Sequence, residues 1–517
     1  MAKIKSPLRR FYFWIIISVM EKKNKIIRWL IGIAIVVFAV RMLSLGWTPL
    51  SDTTEARYAE IGRTMAETGN WTTPMIDEVR PFWAKPPLSF WATATSYKIF
   101  GENEFAAHFP HFLFLVGAAA LAYFFVRARR SESEGGWRGQ LESAVMLAIV
   151  ATMFAFLYLA GGVMTDPALT FCVTLCMVAF YNAVVINKEN LAVARKREGG
   201  WGYLFFAGLG LGLLAKGPLI FMLVGFPIFI WVLIENKWRD MFRAMPWIGG
   251  ILLMLAVAAP WYILAERATP GFLRYFIIGE HFERYVTPNW AGDLYGAGRG
   301  GFMGRIWLFY IICALPWSLW FAIKMFGRRF RRALAASKFF HDEFLFYIFT
   351  FAIATPIFFT FARNTVMAYA LPMLIPVAIL LSAAIAATEN GAPDLRKFKW
   401  FGGLAIAACV GVIALESAYP KWTAALGISD KYLVMQYEKS RNDKNAPLFY
   451  FGARTYSSEF YSDGKIIPIS GGADLLPNQY LQKFVIIKPR DLDAIAAVGL
   501  KITPVASGKK TMLITAE

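Results

Sequence analysis

An α-helical polytopic membrane protein is the fold class this sequence predicts, and three observations predict it. Of the 517 residues, 57% are hydrophobic and 17% charged, with a mean hydropathy of +0.47. A water-soluble domain of this length would need far more polar surface. Apolar runs of about 17 to 25 residues, the length that crosses a bilayer, recur as far as residue 416. Short Lys and Arg clusters separate those runs, as topology signals do.

The net charge of +19 sits in those clusters, which gives it a membrane explanation and argues against nucleic acid as a partner. Cys172, Cys176, Cys313 and Cys409 all fall inside apolar runs and read as small core residues, with neither a disulfide framework nor a metal spacing. The basic start and short apolar stretch of MAKIKSPLRRFYFWIIISVMEKKNK resemble a signal peptide, but no small-residue cleavage site follows. This segment is expected to be a cytoplasmic, interfacial leader.

Spans are expected near 26–46, 105–126, 141–161, 167–186, 201–216, 218–235, 246–265, 302–323, 344–361, 366–387 and 400–416, about eleven to thirteen in all. With the N-terminus inside, RARR (127–130), ARKR (194–197), NKWRDMFR (236–243), KMFGRRFRR (324–332) and RKFK (396–399) share the cytoplasmic side. That agreement requires 86–100 to lie along the outer surface. The outer segments are then 47–104, the turns at Asp166, Lys216 and Arg363, residues 266–301, and everything after about 417. Beyond that point PLFYFGA, KIIPIS, KFVIIKP, KITPVAS and TMLITA alternate with turn residues, predicting a small water-exposed α/β or α+β module over 417–517. Residues 1–416 form the transmembrane domain.

The outer segments hold the unusual polar clusters. In SDTTEARYAE, Ser51 and Asp52 can cap a helix on which Tyr58, Ile61 and Met65 share a face. In RPFWAKPPLSFW, Pro86 and Pro87 hold Lys85 at the membrane surface among aromatics. The plain reading is an interfacial anchor with a snorkelling lysine; the functional one gives Lys85 a lipid phosphate. Asp166 in VMTDPALT is either an N-cap or a general base presented at the end of a span. The stretch FLRYFIIGEHFERYV carries Arg274, Glu280, His281, Glu283 and Arg284, too charged for a linker, and is otherwise a solvated amphipathic helix. Lys216 in AKGP, and Arg363 and Tyr369 in FARNTVMAYALP, are weaker signals. Together these cations and carboxylates suit displacement of an anionic leaving group: cations stabilise charge on a departing phosphate while a carboxylate takes the attacking hydroxyl's proton.

EARYAEIGRTMAETGNW, RPFWAKPPLSFW, FGENEFAAHFP, TDPALT, LLAKG, RYFIIGEHFERY and AYALPMLIP resemble, in order, the bacterial lipid A aminoarabinose transferase family. This is a branch of the GT-C membrane glycosyltransferases that also includes protein O-mannosyltransferases. The resemblance covers about residues 50 to 380. It implies a GT-C fold with periplasmic surface helices, and an inverting transfer of a sugar from undecaprenyl phosphate to lipid A or another envelope acceptor at the bacterial inner membrane. It also implies that Arg57, Tyr58, Lys85, Arg274 and Tyr369 hold the lipid phosphate, with Asp166 as one acid and Asp52 or Glu55 as the other. Lys216, Glu280, His281 and Arg363 are further candidates for substrate contact.

Two departures stand out. A gapless match puts Thr54 where the family's first aspartate stands, with Glu55 second. Ala84 replaces the acidic residue that precedes the KPP lysine in aminoarabinose transferases, which removes a metal ligand and leaves a divalent cofactor and the sugar unassigned. The expected partners are a polyprenyl-phosphate sugar, an envelope acceptor and membrane lipid. A protein O-mannosyltransferase-like enzyme and a flippase of lipid-linked saccharide are the alternatives.

Overall fold

The computed structural model describes residues 7–77, 79–130, 136–189, 199–287, 290–296, 301–336, 341–362, 364–388, 395–443, 445–476 and 482–517. The ARKR cluster at 194–197 and Arg363 lie outside the described residues.

Each expected span coincides with helix. They are α1 (Pro7–Ser44), α4 (Glu104–Arg130), α5 (Trp137–Thr152) continued by α6 (Phe154–Leu159), α7 (Asp166–Glu189), α8 (Gly199–Lys216), α9 (Leu219–Ile234) and α11 (Trp247–Ala268). The later ones are α13 (Arg305–Cys313) with α14 (Trp317–Phe326), α16 (Glu343–Phe359), α17 (Leu371–Ala387) and α18 (Lys399–Leu426). Among the described residues five are long and apolar enough to cross a membrane singly, and α13 and α14, bent by 95° at their break, pass the same test together. The leader is not separate: α1 runs unbroken through EKKNK, because no proline or glycine interrupts residues 8–31.

The bundle packs through small and aromatic side chains. α7 lies between α4, α8 and α17, and α5 is held by α1, α4 and α17. Cys172, Cys176 and Cys313 are buried in this core and, like the less buried Cys409, carry free thiols. The described basic clusters gather at one end. Arg130, closing α4, pairs with Glu142 and with Asp342 at the start of α16, and Lys237 lies 2.7 Å from Glu343.

At the opposite end the first long connection folds into α2 (Thr54–Thr68) and α3 (Leu88–Phe100). At 13 residues, α3 is ~20 Å long, too short for a ~30 Å hydrocarbon core. It packs on α2 and α4 instead. Tyr58, Ile61 and Met65 all point inward from α2, and with Phe82 and Phe90 they build a second apolar cluster that also takes in Phe460 from the C-terminal module.

That module joins α19 (Lys431–Ser440) and α20 (Tyr456–Tyr461) to five strands: β1 (Leu448–Phe451), β2 (Ile467–Ile469), β3 (Lys483–Ile487), β4 (Ile502–Ser507) and β5 (Met512–Ala516). The sheet order is β2-β1-β3-β5-β4, parallel between β1 and its neighbours β2 and β3 and antiparallel around β5. All five stretches became strands; β1, β3 and β5 are apolar on both faces, one packed with α19 and the other on the turns below. The module is tied to the first connection. Asp52 N–H donates to Ile428 O at 2.7 Å, Leu50 N–H to the Tyr461 oxygen at 2.8 Å, and Lys431 pairs with Glu104.

Candidate active site

Two cavities meet where the first connection faces the ends of α7 and α8. A central cavity of about 310 Å³ is lined by Arg57, Tyr58, Ala84, Asp166, Asp293 and Tyr295, among others. A lateral groove of about 180 Å³ is walled by Leu219, Met222, Tyr285, Phe358 and Phe359. Lys85, Lys216, Arg284, Asn364 and Tyr369 line both. A polar chamber therefore opens through a ring of charged and amide groups into an apolar slot.

The chain reaches this geometry by local rules. Pro86 and Pro87 fix the backbone between the turn at Lys85 and α3, which sets where the Lys85 side chain leaves the chain. Asp166 sits at the first turn of α7, with Pro167 next, where a carboxylate faces free amides. Lys216 is the last residue of α8, and Gly217 follows with φ +89°. A Cβ at Gly217 would stand 2.6 Å from the Phe276 ring, so only glycine admits this turn. Arg274–Glu283 forms a π-helical turn, which brings Glu280 and His281 inward, and the adjoining Arg284–Val286 helix presents Arg284.

The charges are paired across segments. Lys216 Nζ lies 2.5 Å from Asp166 Oδ1, both side chains buried, and 4.3 Å from the Tyr369 ring centroid. Asp166 Oδ2 has no hydrogen-bond partner among the described residues. Lys85 Nζ donates to Glu280 Oε2 at 2.8 Å and to Ala84 O at 2.6 Å, leaving a third ammonium proton. Glu280 also accepts from Arg284 at 2.8 Å and 3.0 Å, and Arg284 approaches Asp293 at 3.5 Å. Burial alone would favour neutral forms. The Lys85 ammonium and then Arg284 outweigh it and hold the Glu280 carboxyl below its usual range, while Glu280 in turn outweighs burial and raises Lys85. His281 braces the π-turn against α8, with Nδ1 2.8 Å from Phe276 O and Nε2 3.1 Å from Lys216 O. Burial lowers its pKa against the pull of those two carbonyls.

The structure brings together most of the residues singled out in the sequence. Arg57, Tyr58, Lys85, Asp166, Lys216, Glu280, His281 and Tyr369 all line the cavity or the groove. Arg57 donates to Tyr295 O at 2.6 Å, with its guanidinium 5.1 Å from the Phe82 ring centroid. Arg274 lines neither space; Arg284, ten residues on, occupies the junction. The sequence singled out Arg284 only as one of the charges of that stretch, and did not single out Asp293, Tyr295 or Asn364. Asn364 Nδ2 donates to Arg284 O at 3.1 Å while its buried Oδ1 is without a hydrogen-bond partner among the described residues.

Asp52 and Glu55 go elsewhere. They line a separate cavity of about 440 Å³ with Arg41 and His108, which meets the central one only at Thr54, Leu159 and Met164. Asp52 does not cap α2 either: its carboxylate accepts from Ser457 N at 3.0 Å and from the Ser457 hydroxyl, and α2 starts after Thr53 with no side-chain cap. Glu55 accepts from Ser51 N at 3.2 Å. Among the described residues no group of three or more His, Cys, Asp or Glu is placed to hold a metal ion. Ala84 offers only a methyl group to the central cavity.

Comparisons with known proteins agree with this architecture. Residues 30–276 match the dolichyl-phosphate-mannose-protein mannosyltransferase family. An undecaprenyl phosphate-α-4-amino-4-deoxy-L-arabinose arabinosyl transferase of Pseudomonas fluorescens is 27% identical over 361 residues, 69% of this chain and 60% of the relative. The enzyme of that name from Aeromonas hydrophila is 26% identical over 390 residues, 73% of this chain and 64% of the relative. The chain thus spans less than two thirds of either curated relative. In fold it is similar to ArnT from Cupriavidus metallidurans bound to undecaprenyl phosphate, with a TM-score of 0.72 at 18% identity over 94% of this chain and 98% of that one. Bundle, surface helices and appended sheet module together give a multi-pass helical membrane fold of the GT-C type, the fold of that ArnT structure. In sequence the chain is similar to the aminoarabinose transferases, and over residues 30–276 to the mannosyltransferase family.

Proposed function

We propose that this chain is a lipid-phosphate-sugar-dependent glycosyltransferase of the bacterial inner membrane with its site facing the periplasm. It moves a sugar, with inversion, from a polyprenyl phosphate of the undecaprenyl type to lipid A or another envelope acceptor. The observation that carries this reading is the ring of Lys85, Lys216, Arg284, Asn364 and Tyr369 between the apolar groove and the polar cavity. A prenyl chain fits the groove, its phosphate the ring, and its sugar the cavity. The orientation rests on the basic clusters at the far end of the bundle, by the positive-inside rule.

In the proposed displacement the bond from the sugar's anomeric carbon to the phosphate oxygen breaks as the acceptor hydroxyl bonds to that carbon. Lys85 and Arg284 stabilise the charge left on the lipid phosphate. Asp166 Oδ2 takes the acceptor's proton, with Lys216 fixing the carboxylate through its other oxygen. Asp52 and Glu55 act, on this reading, by shaping the neighbouring cavity and holding the C-terminal module. A flippase is less well supported: transporters set ionisable residues near the midplane of broken helices, and here they crowd one end of the bundle.

Purified protein supplied with a polyprenyl-phosphate sugar and outer-membrane lipid extract is expected to transfer the sugar, and Lys85→Ala or Asp166→Asn to lose transfer while remaining folded. Full turnover in both variants overturns the site. Transfer to an unfolded secretory peptide in place of lipid would assign a protein acceptor, as in the mannosyltransferase family.

A further inference from the structure

At the end of the bundle remote from the candidate active site, α15 (Arg328–Ala336) folds back from α14 at Gly327. Its sequence, RRFRRALAA, splits into two faces. Phe330 and Leu334, four residues apart, are buried against Ala384 and Ala387 of α17, while Arg328, Arg329, Arg331 and Arg332 are exposed. The opposite end of α17 follows the Tyr369 turn. Its 17 residues, ~26 Å of helix, therefore set this elbow across the membrane from the active site.

The elbow encloses a cleft of about 650 Å³. Trp320, Ile323, Phe330, Trp400 and Phe401 form its apolar walls, and Lys324 and Arg329 stand at it. The Trp320 and Trp400 rings stack at 6.5 Å between centroids, the kind of aromatic pair that marks the level of lipid headgroups. The cations here differ from three of their neighbours. Arg130, Arg138 and Lys237 at the same end each hold a carboxylate, whereas among the described residues Lys324, Arg328, Arg329, Arg331 and Arg332 form no ion pair.

We infer that this elbow binds an anionic phospholipid of the leaflet opposite the active site, its phosphodiester between Lys324 and Arg329 and its acyl chains along Trp320 and Ile323. A phosphodiester supplies the anion that these two cations lack, and guanidinium and ammonium donors together suit its oxygens. The alternating face explains the choice of a lipid: a soluble anion would have no use for a wall of Trp320, Ile323 and Trp400. A helix basic only as a topology signal would need charge but no cleft. The inference stands independently of the sugar-transfer reading.

The test is native mass spectrometry of the full detergent-solubilised chain titrated with phosphatidylglycerol, phosphatidylcholine or inorganic phosphate. Phosphatidylglycerol is expected to bind at least tenfold more tightly than phosphatidylcholine, with inorganic phosphate unable to displace it at equal concentration. Lys324→Gln with Arg329→Gln should abolish that preference, and Arg331→Gln with Arg332→Gln should leave it within twofold, circular dichroism confirming that both fold. Equal loss in the two double variants, equal binding of the two lipids, or displacement by free phosphate would each overturn the inference.

Discussion

Lys216 Nζ stands 2.5 Å from Asp166 Oδ1, so the last residue of α8 and the first residue of α7 are joined by a buried ion pair at the rim of the candidate active-site cavity. The same ammonium lies 4.3 Å from the Tyr369 ring centroid, which brings the turn before α17 into the arrangement. Three helix ends thereby meet at one charge.

Breaking that pair from one side leaves the other charge buried alone. Lys216→Met is expected to destabilise the protein by about 3–5 kcal/mol, and Lys216→Met with Asp166→Leu to recover most of that stability. Thermal unfolding in detergent reads both. Sugar transfer stays absent in the double variant, separating the structural role of the pair from the chemical role of Asp166.

Arg284 lines both the candidate cavity and the groove and Arg274 lines neither, so on the proposed reading Arg284 meets the lipid phosphate. Arg284→Ala is expected to lower turnover by about 10²–10³-fold, the usual loss for one donor to developing charge. Arg274→Ala should stay within about threefold of the parent, a barrier change under ~0.7 kcal/mol. Steady-state transfer assays on the two variants decide the assignment, and a larger loss for Arg274→Ala reverses it.

Gly217 has φ +89° and no room for a side chain beside Phe276. Gly217→Ala is expected to cost about 1–3 kcal/mol through overpacking and backbone strain. It also pushes on His281, 3.0 Å from the added carbon, so transfer should fall along with the melting temperature.

Burial pushes the Asp52 carboxyl up to about 6 in spite of the two hydrogen bonds from Ser457, and nearby Asp430 adds to the rise. Because the folded state holds this proton more tightly than the unfolded chain, with its usual value of 3.8, attachment of the C-terminal module is strongest at the acidic end. It weakens as pH rises from about 4 to 6 and is level above, the whole change being at most about 3 kcal/mol. Asp52→Asn should flatten that profile. Hydrogen exchange of α20 between pH 4 and pH 8 measures it, and an unchanged slope in the variant would remove Asp52 as its source.

Much of the architecture was legible along the chain. Apolar length located the membrane helices and period-two alternation located β1 to β5, because both depend on what each segment can bury and not on its neighbours. Lys85 and Asp166 were legible as well, since prolines beside them restrict the backbone whatever packs around it. Asp52 misled for the converse reason. A carboxylate before a helix ordinarily caps it, and here Ser457, 405 residues away, offers a better pair of donors. Lys216 looked slight in AKGP because its partner is 50 residues upstream.

By itself, the sequence determined a membrane-spanning bundle with a small sheet appended, and it determined which residues would lie near one interface, since hydropathy and charge act through composition and order alone. Only the tertiary structure decided that Arg284 stands where Arg274 was expected, that Asp52 and Glu55 face a different cavity from Asp166, and that Asn364 and Asp293 join the site. Those outcomes turn on a π-helical turn and on contacts between distant segments, where a shift of a few ångströms exchanges one charged side chain for another.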